Sequence, residues 1–272
     1  MTADGSTATV APGEDTGAAA GGVVDVRVEG RIGRIRLDDP KRLNALGPAL
    51  LAGLEAALDR VEADPAVRVV VLEAAGEHFS AGGDIAVFDL GVAAGRDYVR
   101  RVIACFRRLE HLAKPVVAAV RGFALGGGFE LAMACDLVVA SATARFGLPE
   151  TKVGAIPGYA VIRLPEIVGR QRAKEIIWSA RRLEPAEAVA LGLAVAEVAD
   201  DQLEAAALRL AGQVAGVPRV AAEVIKAAVN GGIADRALFE STTAAALMWG
   251  TAGIKEGQRA FYEKRPPAFP DE

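Results

Sequence analysis

Gly126-Gly127-Gly128-Phe129-Glu130-Leu131-Ala132-Met133-Ala134-Cys135 settles what kind of chain this is. It follows an unbroken apolar run at residues 115–120, so the local order is buried strand, glycine turn, helix. Glycines let a ligand approach the backbone and leave amide N–H groups free where a helix begins. Those amides favour negative charge, and the helix dipole behind them adds to the effect. Glu130 follows Gly127 by three positions and so sits beside that helix start on a neighbouring face. An anion-stabilising amide next to a carboxylate supplies the parts needed to make an enolate and move a proton.

The rest of the chain extends the pattern. Residues 23–28 and 31–37 alternate like two strands around a Glu29-Gly30 turn. Residues 47–63 form an amphipathic helix with Leu50, Leu51, Leu54, Leu58 and Val61 on one face. Residues 67–72 read as a buried strand, 98–112 as a helix ended by Pro115, and 137–140 as another buried strand. After Gly158 nearly everything reads as helix: 172–179, 185–191, 203–214, 219–229, 236–248 and 255–264. Alternating strands and helices followed by a helical extension predict an α/β core. The expected division is a disordered tail at 1–22, an active-site core at 23–212 and a helical C-terminal region at 213–272.

Composition narrows the function. The chain has 272 residues, 52% of them hydrophobic, and a formal net charge of −4, which gives no general attraction to nucleic acid or anionic membrane. Residues 1–22 lack a basic start followed by an apolar run, so they do not read as a signal peptide. No run approaches the ~18 apolar residues of a membrane span. A cytoplasmic protein is expected. Cys105 and Cys135 lie in apolar helical patterns and read as core thiols, and His78 and His111 have no metal-ligand spacing, so no metal is expected.

Two further loops join the glycine turn. His78-Phe79-Ser80-Ala81-Gly82-Gly83-Asp84 follows the strand at 67–72, and its small residues expose the backbone, with the Ala81 amide facing a ligand. Ser80 lacks the G-x-S-x-G setting of a hydrolase nucleophile. Phe146-Gly147-Leu148-Pro149-Glu150 surrounds a second carboxylate with apolar neighbours, and Gly154-Ala155-Ile156-Pro157-Gly158 follows it. The glycine turn itself fails as a dinucleotide fingerprint because Leu131 stands where a small residue is required, and it lacks the G-K-[ST] ending of a phosphate loop.

In order and spacing these loops resemble those of the crotonase superfamily, the enoyl-CoA hydratase/isomerase fold. The resemblance runs from about Val23 to Phe269. It takes in Pro40-Lys41-Arg42-Leu43-Asn44-Ala45-Leu46, the F-x-A-G-x-D loop at Phe79 to Asp84, the G-G-G-x-E turn, the F-G-x-P-E loop and the ending Phe261-Tyr262-Glu263-Lys264-Arg265-Pro266. It implies a spiral of β-sheet turns and helices with a helical C-terminal trimerisation region, assembled as a homotrimer or a dimer of trimers. By position, Ala81 and Gly127 match the oxyanion-hole amides, Glu130 and Glu150 the catalytic glutamates, and Gly158 a backbone position near the catalytic water. Lys41, Arg42, Leu43 and Ala45 match the segment lining the CoA nucleotide site. Gly82, Gly83 and Asp84 are expected beside the substrate, with Asp84 fixing the turn into the next helix.

The implied activity is reversible syn addition of water to a 2-enoyl-CoA thioester, with CoA as part of the substrate and no separate cofactor. An isomerase using Glu150 as proton shuttle is the alternative, and a non-enzymatic or RNA-binding member of the fold is a third reading. Two positioned carboxyls favour hydration. The chain departs from the family after Ile156-Pro157-Gly158, where Tyr159-Ala160-Val161-Ile162 replaces a small-residue run. Tyr159 is therefore expected either to narrow the acyl pocket or to pack into the core.

Overall fold

The computed structural model describes residues 23–84, 92–153 and 155–231, with scattered positions from 252 to 270. Val24–Glu29 (β1) and Ile32–Leu37 (β2) form an antiparallel hairpin. Beside β2, in parallel, lies Val69–Ala74 (β3), then Val116–Val120 (β4), Leu137–Ser141 (β6) and Ala196–Val198 (β9). Pro48–Ala63 (α1) and Val92–His111 (α2) make the first two crossovers. A smaller sheet carries Phe123–Leu125 (β5), Arg145–Gly147 (β7) and Arg182–Leu183 (β8), in that order.

Both faces of the large sheet are covered, which explains why its strands read as continuous apolar runs rather than alternating ones. Val70, Leu72, Val116, Ala118 and Val120 face the main core with Leu50, Leu54, Leu58 and Phe106. Their neighbours Val69, Val71, Val117, Ala119 and Val139 face Leu203–Ala215 (α7). The contact face of α7 is Ala206, Ala207, Ala211 and Ala215, small side chains that bring the helix close to the sheet. This helix runs across residue 212, so the expected division there falls inside an element that packs on the core.

The topology positions the site. Three of the large-sheet strands are followed by a step toward the small sheet: β4 into β5, β6 into β7, and β3 into Ser80, which bridges Ala124 in parallel. Ala124 in turn pairs with Phe146. Three turns of a spiral thus lie side by side, and the three loops read from the sequence leave the same edge together. Further helices up to residue 231 are Gly127–Met133 (α3), Ala160–Val168 (α4), Arg170–Ser179 (α5), Pro185–Ala190 (α6) and Arg219–Asn230 (α8). Nearly all-helical structure was expected after Gly158; β8 and β9 were not, being two and three residues long and formed only by pairing with distant strands. The expected helix at 236–248 and most of that at 255–264 lie outside the described residues. Among the described residues no helix is long and apolar enough to cross a membrane.

Candidate active site

The triple-glycine turn packs directly on the loop after Ser80. Gly82 has φ +97°, and a Cβ there would stand 2.5 Å from the Leu125 carbonyl oxygen and 3.2 Å from the Gly127 nitrogen. Only glycine fits that position. Past this turn, the Gly83 nitrogen lies 3.5 Å from where a Cβ on Gly127 would be. Neither the Gly83 nor the Gly127 amide donates to a described residue.

The Ala81 expectation is corrected by this geometry. Its N–H donates to the Leu43 carbonyl at 2.9 Å, so it holds the loop together and is not offered to a ligand. Small residues in a sequence mark an exposed backbone without showing which of its amides are already used inside the loop; the Leu43 carbonyl takes that of Ala81. Ser80 is structural in the same loop: its hydroxyl donates to the Asn44 carbonyl at 2.8 Å and accepts from the Gly82 N–H at 3.2 Å.

Glu130 projects from α3 and is 6% exposed. Its Oε1 accepts the backbone N–H groups of Tyr159 at 2.9 Å and Ala160 at 2.8 Å, at the start of α4. Burial raises its pKa above the usual carboxylate range, and the two amides pull against that rise. Glu150 follows β7 in a short 3₁₀ turn, Pro149–Val153. Its Oε1 lies 2.7 Å from where a Cβ on Gly126 would be, and Gly126 has φ +52°. That glycine makes room for the carboxylate beside the amide of Gly127. Glu150 Oε2 is buried with no hydrogen-bond partner among the described residues. Its pKa is pushed up to about 7, chiefly by burial, with its own backbone N–H opposing and the nearby charge of Glu130 adding to the rise.

Gly158 faces α2, where a Cβ would meet Ile103 Cδ1 at 3.6 Å and Val99 Cγ1 at 3.9 Å. The ring of Tyr159 is 5% exposed, edge-on to Phe106, with its hydroxyl on Glu110 Oε1 at 2.6 Å. The expected acyl-pocket wall is therefore corrected to the packing alternative. Of the two outcomes the sequence left open for Tyr159, the core position results because α2 supplies both an aromatic face and a buried carboxylate.

Lys41 and Arg42 lie exposed on a 3₁₀ turn, Pro40–Arg42. Leu43 with Pro40, Asn44, Ala75, Gly76, Glu77 and His78 lines a cavity of about 230 Å³. Ala45 donates its N–H to the Arg42 carbonyl. Asp84 places Oδ2 3.1 Å from where a Cβ on Gly47, just before α1, would be; the turn that follows Asp84 lies outside the described residues. Two positioning residues were missed. Asn44, fully buried at φ +52°, accepts the Asp39 N–H and donates to the carbonyls of Ala75 and His78. Its signal was present, since asparagine tolerates the left-handed region and bonds locally. Tyr98 donates to the Leu46 carbonyl at 2.7 Å, and Leu46 N–H donates to the Gly82 carbonyl, a tether visible only in three dimensions. Among the described residues no group of three or more His, Cys, Asp or Glu side chains is gathered to hold a metal ion.

Two neighbouring glycine amides without a backbone acceptor among the described residues, a buried and a half-buried carboxyl beside them, and a two-sheet spiral make up the candidate site. A family model described as enoyl-CoA hydratase/isomerase matches residues 27–272, and the chain belongs to that family. It is 40% identical over 258 residues to a probable enoyl-CoA hydratase of Rhizobium meliloti, covering 90% of this chain and 96% of that one. It is 38% identical to a short-chain-enoyl-CoA hydratase of Clostridium acetobutylicum, over 87% of this chain and 93% of that one. The crystal structure of enoyl-CoA hydratase from Bacillus anthracis matches with a TM-score of 0.87 at 33% identity, covering 92% of this chain and 100% of that one.

Proposed function

We propose that the protein is an enoyl-CoA hydratase that adds water to a 2-enoyl-CoA through Glu130 and Glu150, with Gly83 and Gly127 as the oxyanion donors. The observation that carries this reading is the contrast between two neighbouring carboxyls, one accepting two backbone amides and one whose buried Oε2 has no partner among the described residues, with its pKa pushed up to about 7. The thioester oxygen sits between the two glycine amides, which makes the β-carbon electrophilic. Ionised Glu130 takes a proton from water as the water oxygen bonds to the β-carbon. The π electrons move through the α-carbon toward the carbonyl oxygen, held there as an enolate. Protonated Glu150 then delivers its proton to the α-carbon, and the carbonyl re-forms. Two acid/base groups with separated pKa values suit this division of work at neutral pH. No step calls on a separate cofactor.

A short acyl chain is proposed. Curated relatives carry the names short-chain-enoyl-CoA hydratase and crotonyl-CoA hydratase, and Ile103 and Val99 close the space over Gly158. The exposed turn at Lys41 and Arg42, beside the cavity under Leu43, suits the nucleotide end of CoA. A homotrimer or dimer of trimers in the cytoplasm remains the proposed state; the exposed apolar residues Ile225 and Val229 on α8 offer contact area, and light scattering at micromolar concentration tests it.

The deciding experiment incubates a panel of enoyl-CoA thioesters in H₂¹⁸O and reads products by mass spectrometry. Label at the β-carbon, highest for short chains, is expected. A shifted double bond without label would replace hydration by isomerisation.

A further inference from the structure

We infer that Glu110, acting through Tyr159 and Arg163, is a positioning residue for the Glu130 carboxylate. The inference rests on the reading that Glu130 activates water. Glu110 lies in the last turn of α2 and is 7% exposed. Its Oε1 accepts the Tyr159 hydroxyl at 2.6 Å and also the Arg163 guanidinium, so one buried carboxylate oxygen ties α2 to two residues on successive turns at the start of α4.

Tyr159 faces two ways. Its ring is wedged edge-on against Phe106 with centroids 5.4 Å apart, and its hydroxyl is fixed by Glu110. Its backbone N–H meanwhile donates to Glu130 Oε1 at 2.9 Å, next to the Ala160 N–H at 2.8 Å. Where the ring is anchored therefore sets where those two amides point. Glu130 is held by nothing else among the described hydrogen bonds to its side chain, so its orientation is inherited from this anchor. The anchor is itself secured from behind: Asn230 of α8 donates to the Glu110 carbonyl at 2.9 Å, and Lys226 donates to the Leu109 carbonyl at 2.8 Å. Arg163 also pairs with Glu166, so it keeps a carboxylate partner when Glu110 is altered.

A merely structural bridge between α2 and α4 would affect stability and every reaction of the site alike. A positioning role affects the step that needs Glu130 and spares the step that does not. The two separate experimentally. Hydration of crotonyl-CoA requires Glu130. Exchange of the α-proton of saturated butyryl-CoA in D₂O requires an enolate and one carboxylate at the α-carbon, the role given to Glu150: it removes the proton, exchanges with solvent and returns deuterium.

Tyr159→Phe keeps the ring and removes only the tether. Its kcat for hydration should fall about 10-fold, the scale of a small misplacement of a reacting group, with KM within about 2-fold and butyryl-CoA exchange unchanged. Glu110→Gln keeps an acceptor for the hydroxyl and should lose less than Glu110→Leu. Thermal unfolding is followed in parallel, and if Glu110→Leu does not fold, the other two variants decide. Wild-type hydration by Tyr159→Phe, alongside a crippled Glu130→Gln, would overturn the inference. So would an equal loss of hydration and exchange. Wild-type hydration by Glu130→Gln would instead overturn the water-activating role itself and the inference with it.

Discussion

Glu130 and Glu150 are the same side chain, a few ångströms from the same glycine turn, in opposite surroundings. Glu130 is deeply buried yet accepts two backbone N–H groups at the start of α4. Glu150 is less buried, but its Oε2 has no partner among the described residues, and its pKa is pushed further, to about 7. Depth of burial alone would predict the reverse order. Hydrogen-bond donors aimed at the charged form outweigh a difference in burial, so the two carboxyls of one pocket are raised to different extents.

The largest expected effect tests whether both halves of the contrast do chemistry. Glu130→Gln and Glu150→Gln should each lower crotonyl-CoA hydration at least ~10²-fold, with CoA-ester binding retained in a calorimetric titration. Either variant hydrating near the wild-type rate would leave only one working carboxyl. Loss of an oxyanion donor comes next. A crystal structure with an acyl-CoA analogue should put the thioester oxygen ~2.7–3.1 Å from the nitrogens of Gly83 and Gly127, with the Ala81 N–H still on Leu43. A donor of this kind is worth ~10²–10³ in rate, so the same oxygen found on Ala81 would undo the assignment.

A smaller change sharpens the Glu150 half. Gly126→Ala places a methyl 2.7 Å from Glu150 Oε1 at φ +52°, so the carboxylate must swing away. Hydration should fall about 10-fold through misplacement, and stability by ~1–2 kcal/mol, read from denaturant unfolding. Unchanged hydration would show that Glu150 does not work from this rotamer.

The smallest effect concerns pH. The pKa of Glu150 rises from an ordinary 4.5 to about 7 on folding. Across that window the folded protein keeps a proton that the unfolded chain has released, so stability falls as pH rises and levels off above it. Glutamine does not titrate. The Tm of Glu150→Gln should therefore gain on the wild type by a few degrees between pH 5 and pH 8. A constant difference would mean that the Glu150 pKa is ordinary. The rate should follow a bell-shaped profile belonging to the coupled pair, its upper limb near 7.

Much of this was legible in residue order. The alternation at 24–37, the helix at 48–63 and the buried runs of β3, β4 and β6 carried their own periodicity. Gly126 to Glu130 and Phe146 to Glu150 announced the two carboxylates because glycine and proline constrain the backbone wherever they occur. Spacing also argued against nucleotide loops and a serine nucleophile. Other features depend on contacts between residues far apart in the chain, which no local pattern encodes. The short strands β8 and β9 exist only through their partners. The Ala81 amide is taken up by the Leu43 carbonyl, and Gly82 reverses the chain against Leu125, contacts that no local pattern announces. Tyr159 turns inward because Phe106 and Glu110 arrive from α2. The unequal fates of Glu130 and Glu150 follow from which amides the spiral brings within reach of each carboxylate. Local sequence specifies which groups are present and how the nearby backbone bends; direction, burial and protonation come from whatever the rest of the fold packs around them.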